Sequence, residues 1–143
     1  MNDSRILLVE DDEELRQAMR AWLAPLFPDW TFEETHCAEA AIRISAQRPP
    51  ALVLMDFKLP DLNGIEATRR IKAGAPQVEV IIVTVYEEAA YRENAAAAGA
   101  AGYVSKRRMY ADLVPLLRKL LPAPAVARRV GSVPKPTDPL LLK

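Results

Sequence analysis

Leu52-Val53-Leu54-Met55-Asp56-Phe57-Lys58-Leu59-Pro60-Asp61-Leu62-Asn63-Gly64 is the most informative stretch of this 143-residue chain. Its first four residues are wholly apolar, with no polar alternation. A short run of that kind, bounded by turn signals, reads as a strand buried on both faces, as in a parallel sheet. The strand ends on an acid, Asp56, and Pro60 and Gly64 mark the turn beyond it.

The same grammar recurs on either side. Ile6-Leu7-Leu8-Val9 is apolar and ends in Glu10, Asp11 and Asp12. Val80-Ile81-Ile82-Val83 is the most β-branched run and ends at Thr84. Gly102-Tyr103-Val104-Ser105 ends at Lys106, and residues 30–34 form a weaker strand. Helical patterns lie between. Leu15, Met19, Trp22 and Leu26 recur on one helical face, with Asp11 or Asp12 as the cap, Glu14 completing a capping box, and Pro25 and Pro28 as the stop. Residues 38–47 form a helix closed by Pro49 and Pro50. Residues 64–73 form another, with Ile65, Thr68 and Ile71 towards the core. Residues 88–98 are alanine-rich, end at Gly99 and carry few large apolar groups, so that helix should be weakly anchored. Residues 109–121 are amphipathic. Strand and helix alternate five times. That predicts an α/β fold with a parallel sheet covered on both faces, occupying residues 1–121. From Pro122 the pattern breaks into a proline-rich basic tail, residues 122–143, expected to be flexible.

Composition narrows the function classes. Nineteen basic residues balance nineteen acidic ones, so no whole-chain field favours nucleic acid or an anionic membrane. The balance is uneven, because the tail carries four basic residues and one acid. Cys37 is the only cysteine, which excludes an intrachain disulfide and is consistent with a reducing, cytoplasmic setting. The N-terminus lacks an apolar signal region, and no apolar run approaches membrane-spanning length, so no membrane insertion is expected. His36 is the only histidine, so no histidine metal cluster can form. Cys37 and Trp22 read as packed residues. Arg128-Arg129 is too short a basic run to bind nucleic acid.

Ligands of parallel α/β sheets bind outside the carboxyl ends of the strands. The residues that fall there are Glu10, Asp11, Asp56, Thr84 and Lys106. Taken singly, each has an ordinary reading: a helix cap, a turn acid, a strand-end hydroxyl, a surface cation. Together they are three carboxylates, a hydroxyl and an ammonium at one rim. Clustered carboxylates need a cation or a proton. Mg²⁺ suits oxygen ligands of this kind and would leave one acid free to attack phosphorus. Lysine and threonine suit the oxygens of a transferred phosphoryl group.

Val9-Glu10-Asp11-Asp12, the stretch from Asp56 to Gly64, Thr84 after its apolar strand, and Gly102-Tyr103-Val104-Ser105-Lys106 together resemble the receiver domain of two-component response regulators. The resemblance covers about residues 4–121. Residues 62–71 look most like receivers of NarL/FixJ-type regulators, which usually precede a helix-turn-helix output domain. The resemblance implies a CheY-like, flavodoxin-type sheet in the order 2-1-3-4-5. It implies Asp56 as phosphoacceptor, Mg²⁺ held by Glu10, Asp11, Asp56 and the backbone carbonyl of Lys58, and Asp12 as a cap. Lys106 would pair with the phosphoryl oxygens, while Thr84 and Tyr103 would form the switch. The phosphodonor would be a sensor histidine kinase or a histidine phosphotransfer protein. A downstream partner, or a second copy, would read residues 88–112. No direct nucleic-acid binding and no turnover of an external substrate are expected. Residues 122–143 are too short for a helix-turn-helix, so the chain reads as a stand-alone receiver or a fragment.

Some positions depart from the pattern. Val85 and Tyr86 place bulk after the switch threonine, Lys58 puts a cation near Asp56, and Arg107 stands where proline is common. Two other classes fit less well. A phosphorylation-independent binding module would not need the intact rim. A phosphohydrolase of the haloacid-dehalogenase type would need an acid two residues after the nucleophile, where this chain has Lys58.

Overall fold

The computed structural model describes residues 4–122. Five strands, β1 (Arg5–Val9), β2 (Thr31–Thr35), β3 (Leu52–Asp56), β4 (Glu79–Thr84) and β5 (Gly102–Ser105), alternate with helices α1 (Glu13–Leu23), α2 (Ala38–Gln47), α3 (Gly64–Gly74), α4 (Ala89–Ala97) and α5 (Met109–Leu120). All neighbouring strands pair in parallel, in the order β2-β1-β3-β4-β5. The tail expected from residue 122 onward lies outside the described residues, apart from Pro122 itself.

The apolar runs are continuous because alternate residues serve opposite faces. Ile6, Leu8, Leu52, Leu54, Ile81 and Val83 pack with Met19 and Leu23 of α1 and Leu113 and Leu117 of α5. Leu7, Val9, Val53, Met55 and Val80 pack with Ala38 and Ala41 of α2 and Ala67 and Ile71 of α3. Helix α4 has the smallest share, since Ala95 is its only buried residue, resting with Ala98 on Ile65 and Ile82. The expectation of weak anchoring agrees with this packing. Gly99, at φ 104°, carries the chain out of α4.

Two elements differ from expectation. The first helix stops before Pro25 as expected, at Leu23, but the chain then runs on as a 3-10 turn, Ala24–Leu26, because Pro25 has no N–H to give to the preceding turn. Leu26 is therefore 40% exposed, and Phe27, at 7%, takes the core position. Strand β2 begins one residue later than predicted, at Thr31. Trp30 instead packs on the core rim, with its N–H donating to the Phe27 carbonyl at 3.0 Å. Helix α5 contains Pro115, which breaks one backbone hydrogen bond on an exposed side while Leu113 and Leu117 remain fully buried.

Candidate functional site

The parallel sheet brings the polar ends of β1, β3, β4 and β5 to one edge. Glu10, Asp56 and Thr84 are 5%, 7% and 1% exposed, so their polar groups need partners. Lys106 supplies one. Its Nζ lies 3.1 Å from Glu10 Oε1 and 3.3 Å from Asp56 Oδ1, bridging the two carboxylates. Glu10 is fixed further from its own strand end. Its Oε2 accepts the Asp12 N–H at 3.1 Å, and its carbonyl accepts from Arg16 of α1 at 2.7 Å. Arg16 also bonds Glu34 of β2 at 2.9 Å. Asp12 caps α1, accepting the Leu15 N–H at 3.1 Å, as the sequence predicted.

Two buried carboxylates share one ammonium, so the charge is not balanced. Burial, and then the charge of Glu10, push the Asp56 carboxyl up to about 6, against the opposing pull of Lys106. Burial of Lys106 favours its neutral form, yet the charges of Asp56 and Glu10 outweigh this and hold it above its usual value.

Asp11 is exposed on the loop after β1. The expected trio of carboxylates is thus not closed: among the described residues, no three acidic, histidine or cysteine side chains are gathered as for a metal ion. Of the three, Glu10 and Asp56 are brought together, bridged by the Lys106 ammonium. The donor set itself fits a hard cation, since it is all oxygen and leaves a net negative charge around Asp56. Lys58 follows at the second position after Asp56, with its side chain exposed.

The loop from Asp56 to α3 is tightly folded. The Gly64 N–H donates to the Phe57 carbonyl at 2.7 Å, and a Cβ at Gly64 would overlap the carbonyl oxygen of Asp56. Glycine is required there by close backbone approach. Asn63 caps α3, accepting from Glu66 N at 2.8 Å. Asp61 has a role that the sequence did not reveal. Its two carboxylate oxygens accept from Ala38 N and Glu39 N, at 3.0 and 2.9 Å, and so cap α2 from another loop. Desolvation opposes ionisation of Asp61, but these backbone N–H groups hold its carboxyl below the usual value. A cap that joins residues 23 apart leaves no local sequence signature.

On the other side of Asp56 stands Thr84. Asp56 is in register with Val83, and Thr84 with Ser105, which places Thr84 one residue beyond Asp56 on the adjacent strand. Its Oγ1 accepts the Tyr86 N–H at 3.1 Å. Tyr103, half-buried on β5, donates its hydroxyl to the Tyr86 carbonyl at 2.7 Å. The two residues expected to move together are therefore joined through the backbone of Tyr86. The Tyr86 ring meets Phe57 at 5.3 Å and Tyr91 of α4 at 5.2 Å, while Val85 is 66% exposed at the rim. A groove of about 360 Å³ between α3 and α4 is lined by Phe57, Ile65 and Tyr91 but by none of the rim residues.

Beyond Lys106 the chain departs from the expected proline. Arg107 chelates Glu87, with Nε to Oε2 at 3.0 Å and Nη2 to Oε1 at 3.1 Å, and Ser105 Oγ donates to the same carboxylate at 2.5 Å. The Arg107 and Ser105 bonds lower the Glu87 carboxyl to about 2.

A doubly wound five-stranded sheet with this rim defines the receiver class of signalling switches. The family model of the response regulator receiver domain matches residues 6–118, and the chain belongs to that family. It is 31% identical over 116 residues to the response regulator GacA of Pseudomonas aeruginosa, an alignment covering 81% of this chain and 54% of that protein. It is 33% identical over 115 residues to the response regulator UvrY of Escherichia coli, covering 80% of this chain and 53% of that one. The chain thus spans about half the length of these curated relatives. Among solved structures, a LuxR-family two-component response regulator from an Aurantimonas species is similar with a TM-score of 0.77 at 31% identity, covering 90% of this chain and 95% of that one. A CheY-like receiver domain protein from Methanospirillum hungatei gives a TM-score of 0.73 at 26% identity, covering 83% and 93%.

Proposed function

We propose that Asp56 accepts a phosphoryl group from a sensor histidine kinase or a histidine phosphotransfer protein, in a Mg²⁺-dependent reaction, and that the modified chain switches its binding to a partner. The observation that carries this reading is the Glu10–Lys106–Asp56 bridge at the end of β3, one strand away from Thr84. A carboxylate oxygen of Asp56 attacks phosphorus, the bond to the donor nitrogen breaks, and an acyl phosphate forms. Asp56 must be ionised to attack, and the Lys106 charge favours that form. Once Asp56 is phosphorylated, Lys106 is freed from its carboxylate and pairs with phosphoryl oxygens. The Thr84 hydroxyl, now accepting from Tyr86, donates to the same group.

Glu10, Asp11, Asp56 and the Lys58 carbonyl would hold Mg²⁺, which when bound neutralises the acids and the phosphoryl oxygens. Turning of Thr84 towards the phosphoryl group would draw its Oγ1 away from Tyr86 N and alter the strut to Tyr103, and the change is read on residues 88–112 by a protein partner or a second copy. The setting is the cytoplasm; no helix among the described residues is long and apolar enough to cross a membrane. The chain acts on itself rather than turning over an external substrate.

Incubation with acetyl phosphate tests the reading, with intact mass as the readout. One added phosphoryl group is expected with Mg²⁺, and none after chelation or in Asp56→Asn. Equal uptake by Asp56→Asn would reject Asp56 as the acceptor.

A further inference from the structure

We propose that Glu87 is a positioning residue for Lys106, gripping the residues on both sides of that lysine and tying them to the loop that follows Thr84. The inference rests on the phosphoacceptor reading, which gives Lys106 and Thr84 their importance. Four bonds form the grip. Glu87 Oε2 accepts from Ser105 Oγ at 2.5 Å and from Arg107 Nε at 3.0 Å. Glu87 Oε1 accepts from Arg107 Nη2 at 3.1 Å. The Arg107 backbone N–H closes the ring on Ser105 Oγ at 3.2 Å. Ser105 and Arg107 are the two chain neighbours of Lys106, so its backbone is held from either side.

A lysine needs such a frame more than an arginine would. Its ammonium is a point charge on a flexible four-carbon stem, able to sweep a wide arc. Here it must span two carboxylates, and it lies 3.1 and 3.3 Å from them. The grip also reaches the switch loop from its far end. Thr84 closes that loop on Tyr86 N, Tyr103 holds the Tyr86 carbonyl, and Glu87 is the next residue. Arg107 and Glu87 suit each other in a way the usual residue could not reproduce. A proline after Lys106 has neither the N–H that reaches Ser105 nor a guanidinium for Glu87. The pair is exposed, with side chains 70% and 40% accessible, so it adds little to global stability and its effect is geometric.

The test compares wild type with Glu87→Gln, Arg107→Lys, and the swapped pair Glu87→Arg/Arg107→Glu. Three quantities are read: thermal stability, the rate of phosphoryl uptake from acetyl phosphate with Mg²⁺, and the ¹⁵N resonance of the Lys106 ammonium. We expect unchanged folding and uptake at least about five-fold slower in Glu87→Gln, within the roughly hundred-fold that a misplacement of about 1 Å can cost. The swapped pair restores the ion pair but leaves Ser105 Oγ without its carboxylate, and Arg107→Lys keeps the charge without the two-point contact, so both should lie between wild type and Glu87→Gln in rate. The Lys106 resonance, protected by two carboxylate partners in wild type, should broaden in Glu87→Gln and return in part in the swapped pair. Raising salt to about 1 M should slow wild type towards the Glu87→Gln rate, because exposed ion pairs are screened. An unchanged Lys106 resonance and an uptake rate within two-fold of wild type in folded Glu87→Gln would overturn the inference. A folded wild type that takes up no phosphoryl group, with a Lys106 resonance that still responds to Glu87, would overturn the phosphoacceptor reading and leave the positioning role supported.

Discussion

Asp56 is held at about 6 by burial and by Glu10, above the 3.8 of an unperturbed aspartate. At this one group the folded chain therefore holds more proton than the unfolded chain between about pH 4 and 6, and the stability contributed by this group is lost as pH rises through that window. Asp56→Asn removes the charge and keeps the shape. In Mg²⁺-free buffer at pH 7 it should be more stable than wild type by roughly 1–3 kcal/mol, an advantage that vanishes near pH 4. Denaturant titrations at several pH values check this; an Asn variant no more stable at pH 7 would mean that Asp56 is not short of positive charge. Gly64 behaves differently. Gly64→Ala forces a methyl against the Asp56 carbonyl oxygen and should cost about 1–3 kcal/mol by overpacking, visible as a lowered denaturation midpoint. A midpoint unchanged from wild type would show that the loop can relax. Asp56, Thr84 and Lys106 were legible in the sequence because each is the polar residue that ends an apolar run. The exposed position of Asp11 was not, since the spacing of residues places it at the strand end without fixing which way the loop after β1 turns its side chain.

The elements divide by how they are held. Helix α2 carries no cap of its own: Cys37 occupies the capping position without a side-chain bond, and Asp61 serves from the loop before α3. Asp61→Ala should therefore destabilise the chain by about 0.5–2 kcal/mol, the usual cost of a lost cap. Hydrogen exchange would place the loss at the start of α2, and protection there equal to wild type would remove Asp61 from that role. Helix α4 is the opposite case, with one buried alanine and two aromatic contacts through Tyr91. Its amides should exchange faster than those of α3, and a beryllofluoride phosphoryl mimic should shift resonances across residues 88–112. Shifts confined to the rim loops would mean that this face does not report on the site. Element boundaries were readable where a proline or glycine set them, as at Gln47 and Gly99. Pro25 marked the end of α1 in the same way, but the place of Leu26 was misread, because a helical spacing that includes it looks continuous past Pro25, where the chain turns as a 3-10 helix instead.

At the scale of the molecule, two-sided burial made the architecture legible. A wholly apolar strand has to be covered on both faces, and five strand–helix alternations leave few ways to do it. Contacts between the loops at the sheet's polar edge were beyond that logic, the Glu87–Arg107 pair above all, because they depend on which loops the strand order makes neighbours. Residues 4–122 hold a complete sheet with both faces packed. A chain ending at Pro122 should accordingly melt within about 2 °C of the full chain, as calorimetry would show. A much larger drop would require residues 123–143 to dock on the domain. One carboxylate among several at this edge is expected to carry the phosphoryl group. Borohydride reduces an aspartyl phosphate to homoserine, so tandem mass spectrometry after acetyl phosphate, Mg²⁺ and borohydride locates it directly. Homoserine is expected at position 56 alone; homoserine at position 11 or elsewhere, or none in a folded chain, would rule out Asp56 as the single acceptor.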